Sequence, residues 1–187
     1  MPRLRLAHYA DIAAMQVLIA RSAIDLSVSF YTPEQARGLL QYVFGVDTQL
    51  IADQTYFAIE EEVVNVEQPE IKPRLLACGG WSKRNTLFGG DQAKQGVDNL
   101  LDPAIDPARI RAFFVDPSAA RRGLGSMQMR HCTEQARAAG FTALELASTM
   151  PGEPLYRASG FEVYERFGLD LPGGIHAPLA RMHKKIV

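Results

Sequence analysis

Cysteine, tryptophan and long apolar runs are all scarce in this sequence of 187 residues. The two cysteines, Cys78 and Cys132, are too few for a disulfide framework or a cysteine metal cluster. No apolar run approaches the roughly 20 residues that a membrane-spanning helix needs, and the charged start Met1–Arg5 has no apolar segment behind it. We therefore expect a soluble cytoplasmic protein without a membrane partner.

An excess of charge of one sign is also missing. Lys and Arg number 20 and Asp and Glu number 21, so the formal net charge is -1. A dedicated nucleic-acid-binding protein normally has a basic excess, so we expect no nucleic-acid partner. Hydrophobic residues make up 47% and charged residues 22%, which is the composition of a globular protein. The length suits one domain, and we predict a single domain over residues 1–187.

The hydrophobic pattern predicts a mixed order of strands and helices. This order is one strand, two helices, three strands, a helix, a strand, a short helix and two strands. Asp11 and Thr32-Pro33 indicate two helix starts, and the strand 110–115 is followed by a turn and a long helix that Gly140 ends. We predict an α/β (α+β) fold in which a mixed, mostly antiparallel sheet of about seven strands is flanked by about four helices.

Two long connections interrupt this order, at about 60–74 and 82–106. The first contains an acidic run and two prolines, and the second is rich in Gly, Asp, Asn and Gln with little hydrophobic pattern. A structureless connection as long as the second is uncommon in a compact domain, so we expect residues 82–106 to be functional or mobile.

The strongest local signal is the loop 121–126, Arg-Arg-Gly-Leu-Gly-Ser, which follows a strand and opens a helix. The first N–H groups of a helix lack an intrahelical partner, and glycines let a ligand approach the backbone. This arrangement suits a phosphate or pyrophosphate, and a tight turn for close packing is the alternative. A P-loop would need Gly-Lys-Ser/Thr after four spacer residues, and a Rossmann fingerprint would need a third glycine where Gln128 stands.

The residues around this loop resemble the motifs of a known superfamily. Val115-Asp116-Pro117 with 120–125 (Ala-Arg-Arg-Gly-Leu-Gly) resembles motif A of the GNAT N-acetyltransferases, and 154–161 (Pro-Leu-Tyr-Arg-Ala-Ser-Gly-Phe) resembles motif B. The resemblance is specific from about residue 110 to 167, and the family's fold has the predicted order of elements. One departure is Ala120, where the family often has Gln or Arg, and we expect it to remove only a few contacts.

The resemblance implies that acetyl-CoA is the cosubstrate. It implies that the backbone of one strand pairs with the pantetheine arm and that the glycine loop holds the pyrophosphate. The histidines show no ligand spacing with the cysteines, so we predict no metal site. The implied cosubstrate-binding residues are Phe113, Phe114 and Val115 on the strand, and Arg121, Arg122, Gly123, Leu124, Gly125 and Ser126 in the loop.

Tyr156 is the predicted catalytic acid. A phenol with an ordinary pKa of about 10 can give a proton to a departing thiolate, and the family's acid is often a tyrosine at this position of motif B. An amphipathic tyrosine at a helix–strand contact is the alternative. Glu60 is the predicted general base, because the family often places a carboxylate in this central region. Glu61, Glu62 and Glu145 are also considered, and a solvated acidic surface is the competing interpretation.

These features together predict an N-acetyltransferase. It would move an acetyl group from acetyl-CoA to a primary amine of a small molecule, peptide or protein by direct attack in a ternary complex, with a polarising backbone N–H near Val115. The alternatives are a non-catalytic acyl-CoA-binding or sensing module and a nucleotide-binding protein. We expect residues 24–54 and 82–106 to shape the acceptor pocket, and pairing into a homodimer stays open.

Overall fold

A single sheet organises the described part of the chain. The computed structural model describes residues 1–62, 73–94 and 96–186. Seven strands pair in the order β1-β2-β3-β4-β5-β7-β6, and every pair is antiparallel except β4 with β5, which is parallel. The predicted mixed, mostly antiparallel sheet is thus confirmed. The strands are β1 Arg3–Leu6, β2 Tyr56–Glu61, β3 Arg74–Ser82, β4 Ala108–Val115, β5 Ala143–Thr149, β6 Glu162–Leu171 and β7 Ile175–Lys185.

The described residues contain five α-helices, one more than the sequence predicted. The additional helix, α3, has five residues, which is too short to show an amphipathic repeat, and Asp47 caps it by accepting a hydrogen bond from the Gln49 N–H at 3.0 Å. None of these helices has the length and apolar character to cross a membrane. The helices are α1 Ile12–Asp25, α2 Pro33–Tyr42, α3 Thr48–Ala52, α4 Leu124–Ala138 and α5 Glu153–Ala158.

The two predicted helix starts have different chemistry. Thr32 caps α2 as expected, because its hydroxyl accepts from the Gln35 N–H and the Gln35 side chain accepts from the Thr32 N–H. Asp11 precedes α1 but makes no side-chain cap. Its carboxylate accepts instead from the Arg5 guanidinium at 2.8 and 2.9 Å, which joins the start of α1 to β1.

The β4–α4–β5 unit opens the sheet where the candidate site lies. β4 and β5 pair only at Ala108 with Leu144 and at Arg109 with Glu145, so most of both strands run on unpaired with each other. Helix α4 packs a buried stripe against the sheet, and its fully buried Gln128 donates to two strand carbonyls at 3.1 and 3.2 Å. The helix and the open strands therefore hold a fixed gap in the sheet.

The two long connections differ in what the structure describes. Residues 63–72 of the first lie outside the described residues, so the expectation for that segment is not assessed. The second contains a short 3-10 helix, Asp91–Ala93, and an isolated bridge between Arg84 and Leu100. Its residues 83–94 are held against the α2–α3 connection by backbone hydrogen bonds from Gly90 to Val43 at 2.8 Å and from Asp91 to Val46 at 3.0 Å.

Candidate active site

A cavity of about 670 Å³ occupies the gap between β4 and β5. One wall is β4 from Ile110 to Val115, and the facing wall comes from the end of β5 and from α5. The loop 119–126 closes one end, which we call the glycine-loop end. Segments 22–45 and 87–90, with Arg111, Phe114 and Leu179, line another part of the cavity, which we call the acceptor end. The two stretches expected to shape an acceptor pocket therefore meet in one place.

A bulge in β4 bends the cavity wall. Cys78 pairs with Phe114 and Gly80 with Arg111, so Ala112 and Phe113 both lie opposite Gly79. Ala112 takes the left-handed conformation with a φ of 55°, which is uncommon for a residue with a side chain. A Cβ on Gly79 would come 2.6 Å from the Phe113 ring, so glycine is required there. The bulge turns β4 away from β5 and leaves its last residues along the cavity.

The backbone N–H of Val115 lies on the cavity side of β4. It donates to the Ser22 hydroxyl of α1 at 3.3 Å, and both residues line the cavity. At 3.3 Å this bond is slightly longer than a normal N–H···O hydrogen bond, so a better acceptor could replace it at little cost. Ser22 was not found by sequence analysis, because no local motif marks a serine within an amphipathic helix.

The glycine-loop end owes its shape to two glycines with different roles. Gly123 precedes α4 with a φ of 80°, and a Cβ there would meet nothing within 4 Å. A Cβ on Gly125 would instead come 2.8 Å from Leu155 of α5, so this glycine allows close packing. Among the described residues no acceptor takes the N–H groups of Leu124, Gly125 and Ser126, which are the free donors of the first turn. The loop is therefore a tight turn with unpaired backbone donors, an arrangement that suits an anion.

The two arginines of this loop point to different places. Arg121 lines the cavity. Arg122 does not: its guanidinium donates to the Glu61 carboxylate of β2 at 2.7 and 3.2 Å on the protein surface. Eight of the nine predicted cosubstrate-binding residues thus border the cavity, and Arg122 is the exception because β2 supplies it with a partner.

Asp116 fixes the turn between β4 and the glycine loop. The residue is only 3% exposed, and its carboxylate accepts from Arg21 at 2.9 Å, Arg74 at 3.0 Å and the Ser118 N–H at 2.9 Å. Burial alone would raise the pKa of Asp116, but the hydrogen bonds from Ser118 and Arg74 outweigh burial and hold the pKa below its ordinary value. The sequence marks Asp116 as the end of a strand and as part of motif A, but its partners Arg21 and Arg74 are too far away in the sequence to be predicted.

Tyr156 borders the cavity from α5. Its buried ring lies between Phe113 and Phe161, with ring centroids 6.3 and 6.0 Å away. Burial raises the pKa of Tyr156 well above the usual value, with a smaller contribution from Cys132. Within the described ranges the tyrosine hydroxyls that make protein hydrogen bonds are those of Tyr31, Tyr56 and Tyr164, and Tyr156 is not among them. Because burial raises its pKa, the phenol stays protonated at neutral pH.

The structure does not bring Glu60 to the cavity. Its carboxylate accepts from the Arg5 side chain at 2.7 Å, on the pair of strands β1 and β2. The Glu145 carboxylate also has partners: it forms an ion pair with Arg109 and accepts a hydrogen bond from the Tyr164 hydroxyl. No aspartate, glutamate or histidine is among the described residues that line the cavity. The prediction of Glu60 as general base is therefore not retained, because a partner far away in the sequence holds it elsewhere.

A sheet that opens between two parallel strands, with a glycine loop at the N-terminus of the intervening helix, defines the acyl-CoA acyltransferase class of folds. The sequence matches the Acetyltransferase (GNAT) family over residues 49–161, more than half of the chain. The chain belongs to this family, as its motifs indicated. No curated protein matches the sequence closely enough to count as a relative.

Solved structures share the whole fold at low sequence identity. A GCN5-related N-acetyltransferase from Rhodopseudomonas palustris is 15% identical with a TM-score of 0.68, covering 99% of this chain and 96% of that one. The PaiA N-acetyltransferase from Thermoplasma acidophilum, in complex with coenzyme A, is 11% identical with a TM-score of 0.61 and 99% coverage of both chains. YncA from Salmonella typhimurium, with acetyl-CoA, is 15% identical with a TM-score of 0.62, covering 100% and 95%. These similarities establish the fold.

Proposed function

We propose that this protein is an N-acetyltransferase that moves the acetyl group of acetyl-CoA to a primary amine. The main support is a single cavity that three features line together. These features are the unpaired backbone N–H groups of the glycine loop, the protonated Tyr156 and the acceptor end. Two structural neighbours hold coenzyme A or acetyl-CoA, which supports the choice of cosubstrate.

The residues of the glycine-loop end suit the charged part of CoA. The N–H groups of Leu124, Gly125 and Ser126, together with Arg121, would hold the pyrophosphate. The open backbone of β4 beyond the bulge would pair with the pantetheine arm. The cradle is pre-formed, because Asp116 and the Gly125–Leu155 contact fix it without a ligand.

The chemistry would be direct attack within a ternary complex. The Val115 N–H would exchange the Ser22 hydroxyl for the thioester oxygen and stabilise the charge that develops there. As the amine nitrogen bonds to the acetyl carbon and the carbon–sulfur bond breaks, Tyr156 would donate its proton to the sulfur. The described lining contains no carboxylate or imidazole, so the amine's proton would pass to water.

Replacing Tyr156 with phenylalanine tests the proposal. The ring and its packing remain, and no protein hydrogen bond of the described residues is lost, so stability should change little. Turnover should fall about 10²–10⁴-fold, whereas CoA affinity by calorimetry should stay within about twofold. Tyr9→Phe is the matched control, since Tyr9 is exposed and outside the cavity. Unchanged turnover, where chemistry limits the rate, would remove Tyr156 from the mechanism.

A non-catalytic acyl-CoA-binding module is the second candidate, which the lack of a carboxylate or imidazole in the described lining favours. Both candidates predict that CoA, at a concentration of about 100 times its dissociation constant, raises the free energy of unfolding by about 2.7 kcal/mol. Both predict that NAD does not raise it. They differ in thiol release: a sensing module would bind CoA but release no thiol from acetyl-CoA with any amine. A shift in melting temperature with NAD and none with CoA would refute both.

A further inference from the structure

The acceptor end of the cavity is lined almost entirely by apolar side chains. Phe44 and Phe114 pack edge to face with centroids 5.5 Å apart, and both face into the same cavity. Serine hydroxyls and one arginine are the polar exceptions at this end. The apolar members are Leu26, Phe30, Val43, Phe44, Leu87, Phe88, Phe114 and Leu179.

Among the described residues that line this end, Arg111 is the only charged side chain, and it is already paired. Arg111 is buried, and its guanidinium already donates to Asp47 at 2.8 Å and to the carbonyls of Thr86 and Gly89 at 2.7 and 2.6 Å. Asp47 also contacts Lys94, so its charge is compensated. A cationic acceptor would lose its hydration here without a counter-ion, and an anionic one would find no free cation.

Close packing and hydrogen bonds hold the walls of the acceptor end together. A Cβ on Gly90 would come 2.7 Å from Gly45, so the two backbone segments touch and only glycine fits. The hydrogen bonds from Arg111 fix the same loop from the other side. A peptide acceptor would bring backbone N–H and C=O groups that this lining leaves unpaired, whereas a compact apolar group would fit without that cost.

We infer that the acceptor is a small amine attached to an aromatic or branched apolar group, and that it reacts after entering uncharged. This inference rests on the proposed function and specifies its substrate class. An arylamine is neutral at pH 7, whereas an alkylamine resembles lysine, with a pKa of about 10.4, and is mostly charged. With no carboxylate or imidazole in the described lining, the neutral form must come from solution.

The test compares four acceptors with the wild-type protein and acetyl-CoA: 4-methylaniline, phenethylamine, spermidine and glutamate. Thiol release and product mass are measured between pH 6 and pH 9. We expect kcat/KM for the two aromatic amines to exceed that for spermidine and glutamate by about tenfold or more. For phenethylamine kcat/KM should rise about tenfold per pH unit, whereas for 4-methylaniline it should stay flat.

Different failures have different meanings. Preference for spermidine or glutamate, or a flat profile for phenethylamine, would overturn the inference but keep the acetyltransferase function. Transfer to none of the four, with CoA binding intact, would overturn this inference and favour the non-catalytic acyl-CoA-binding module.

Variants of the acceptor end complete the test. Phe30 is 49% exposed at the rim of the cavity, and Phe30→Ser should raise the KM for phenethylamine about tenfold without changing CoA affinity. Val28→Ser is the matched control, since Val28 is 76% exposed and outside the cavity. Leu87→Asp should shift the preference towards spermidine by supplying a counter-ion. If neither variant changes the ratio of aromatic amine to spermidine, the inference is wrong.

Discussion

Replacing Gly123 with aspartate tests whether the N-terminus of α4 holds the pyrophosphate of CoA. Gly123 has a φ of 80°, and a Cβ there would meet no atom within 4 Å. Aspartate and asparagine are the side chains that visit this conformation most readily, at a cost of about 1–2 kcal/mol. Since the two have the same shape, Gly123→Asn has the same effect on the backbone and differs only in charge.

The charge alone then sets the expected difference between the two variants. A carboxylate about 4 Å from one phosphate charge is repelled by about 1 kcal/mol in water and by about 4 kcal/mol at an effective dielectric constant of about 20. This range corresponds to about fivefold to about a thousandfold in the dissociation constant. Gly123 is exposed, so we expect the lower part of the range at physiological salt.

Calorimetry of CoA with the wild type and both variants, at low and at high salt, measures this difference. The affinity ratio between Gly123→Asn and Gly123→Asp should shrink as salt rises, because screening weakens an exposed charge pair. Circular dichroism should show the same fold for all three proteins. Equal CoA affinity of the two variants at low salt would refute the placement of the pyrophosphate at this helix terminus.

Three further predictions concern the same loop. Arg121→Gln should weaken CoA binding about fivefold, by about 1 kcal/mol, whereas Arg122→Gln should leave it unchanged in the same titration, because only Arg121 lines the cavity. Asp116→Asn should lower the free energy of unfolding by about 1–3 kcal/mol at pH 7 in urea. Because the folded pKa of Asp116 is lowered, this stabilisation is present above its ordinary pKa and is lost as the pH falls through the folded value, so the two proteins should converge in acid. Gly125→Ala should change the free energy of unfolding by less than about 1 kcal/mol, because the Leu155 methyl groups that the new Cβ would meet can shift and alanine favours the helix by about 1 kcal/mol. In a Leu155→Ala background the same substitution should be more stabilising, and equal effects in the two backgrounds would contradict the contact.

Much of the fold was predictable because its signals act over a few residues. The Thr32 capping box, the left-handed Gly140 that ends α4 and the alternation of the strands each depend on neighbours within one turn or one strand. The order of the elements followed from these signals and is confirmed. Helix α3 was missed because five residues are too few to show a helical period.

The candidate site was only partly predictable. The glycine loop and Tyr156 could be found because each lies in a short contiguous motif, and their roles stay predictions. The two glycines look alike in sequence but differ in the structure. Gly123 adopts a left-handed backbone conformation that favours glycine, whereas a side chain at Gly125 would crowd Leu155. A motif indicates that a glycine is there, but only packing shows what a side chain would meet.

The sequence by itself determined the succession of the longer strands and helices, the Thr32 cap and the position of the glycine loop, since these depend on local backbone chemistry. Only the tertiary structure decided which charged side chains form ion pairs with one another and which line the cavity. Glu60 is held by Arg5, 55 positions away, and Arg111 by Asp47, 64 positions away. Such pairs form only when the sheet brings distant strands and loops together, and the apolar, carboxylate-free character of the described acceptor end is a result of that assembly.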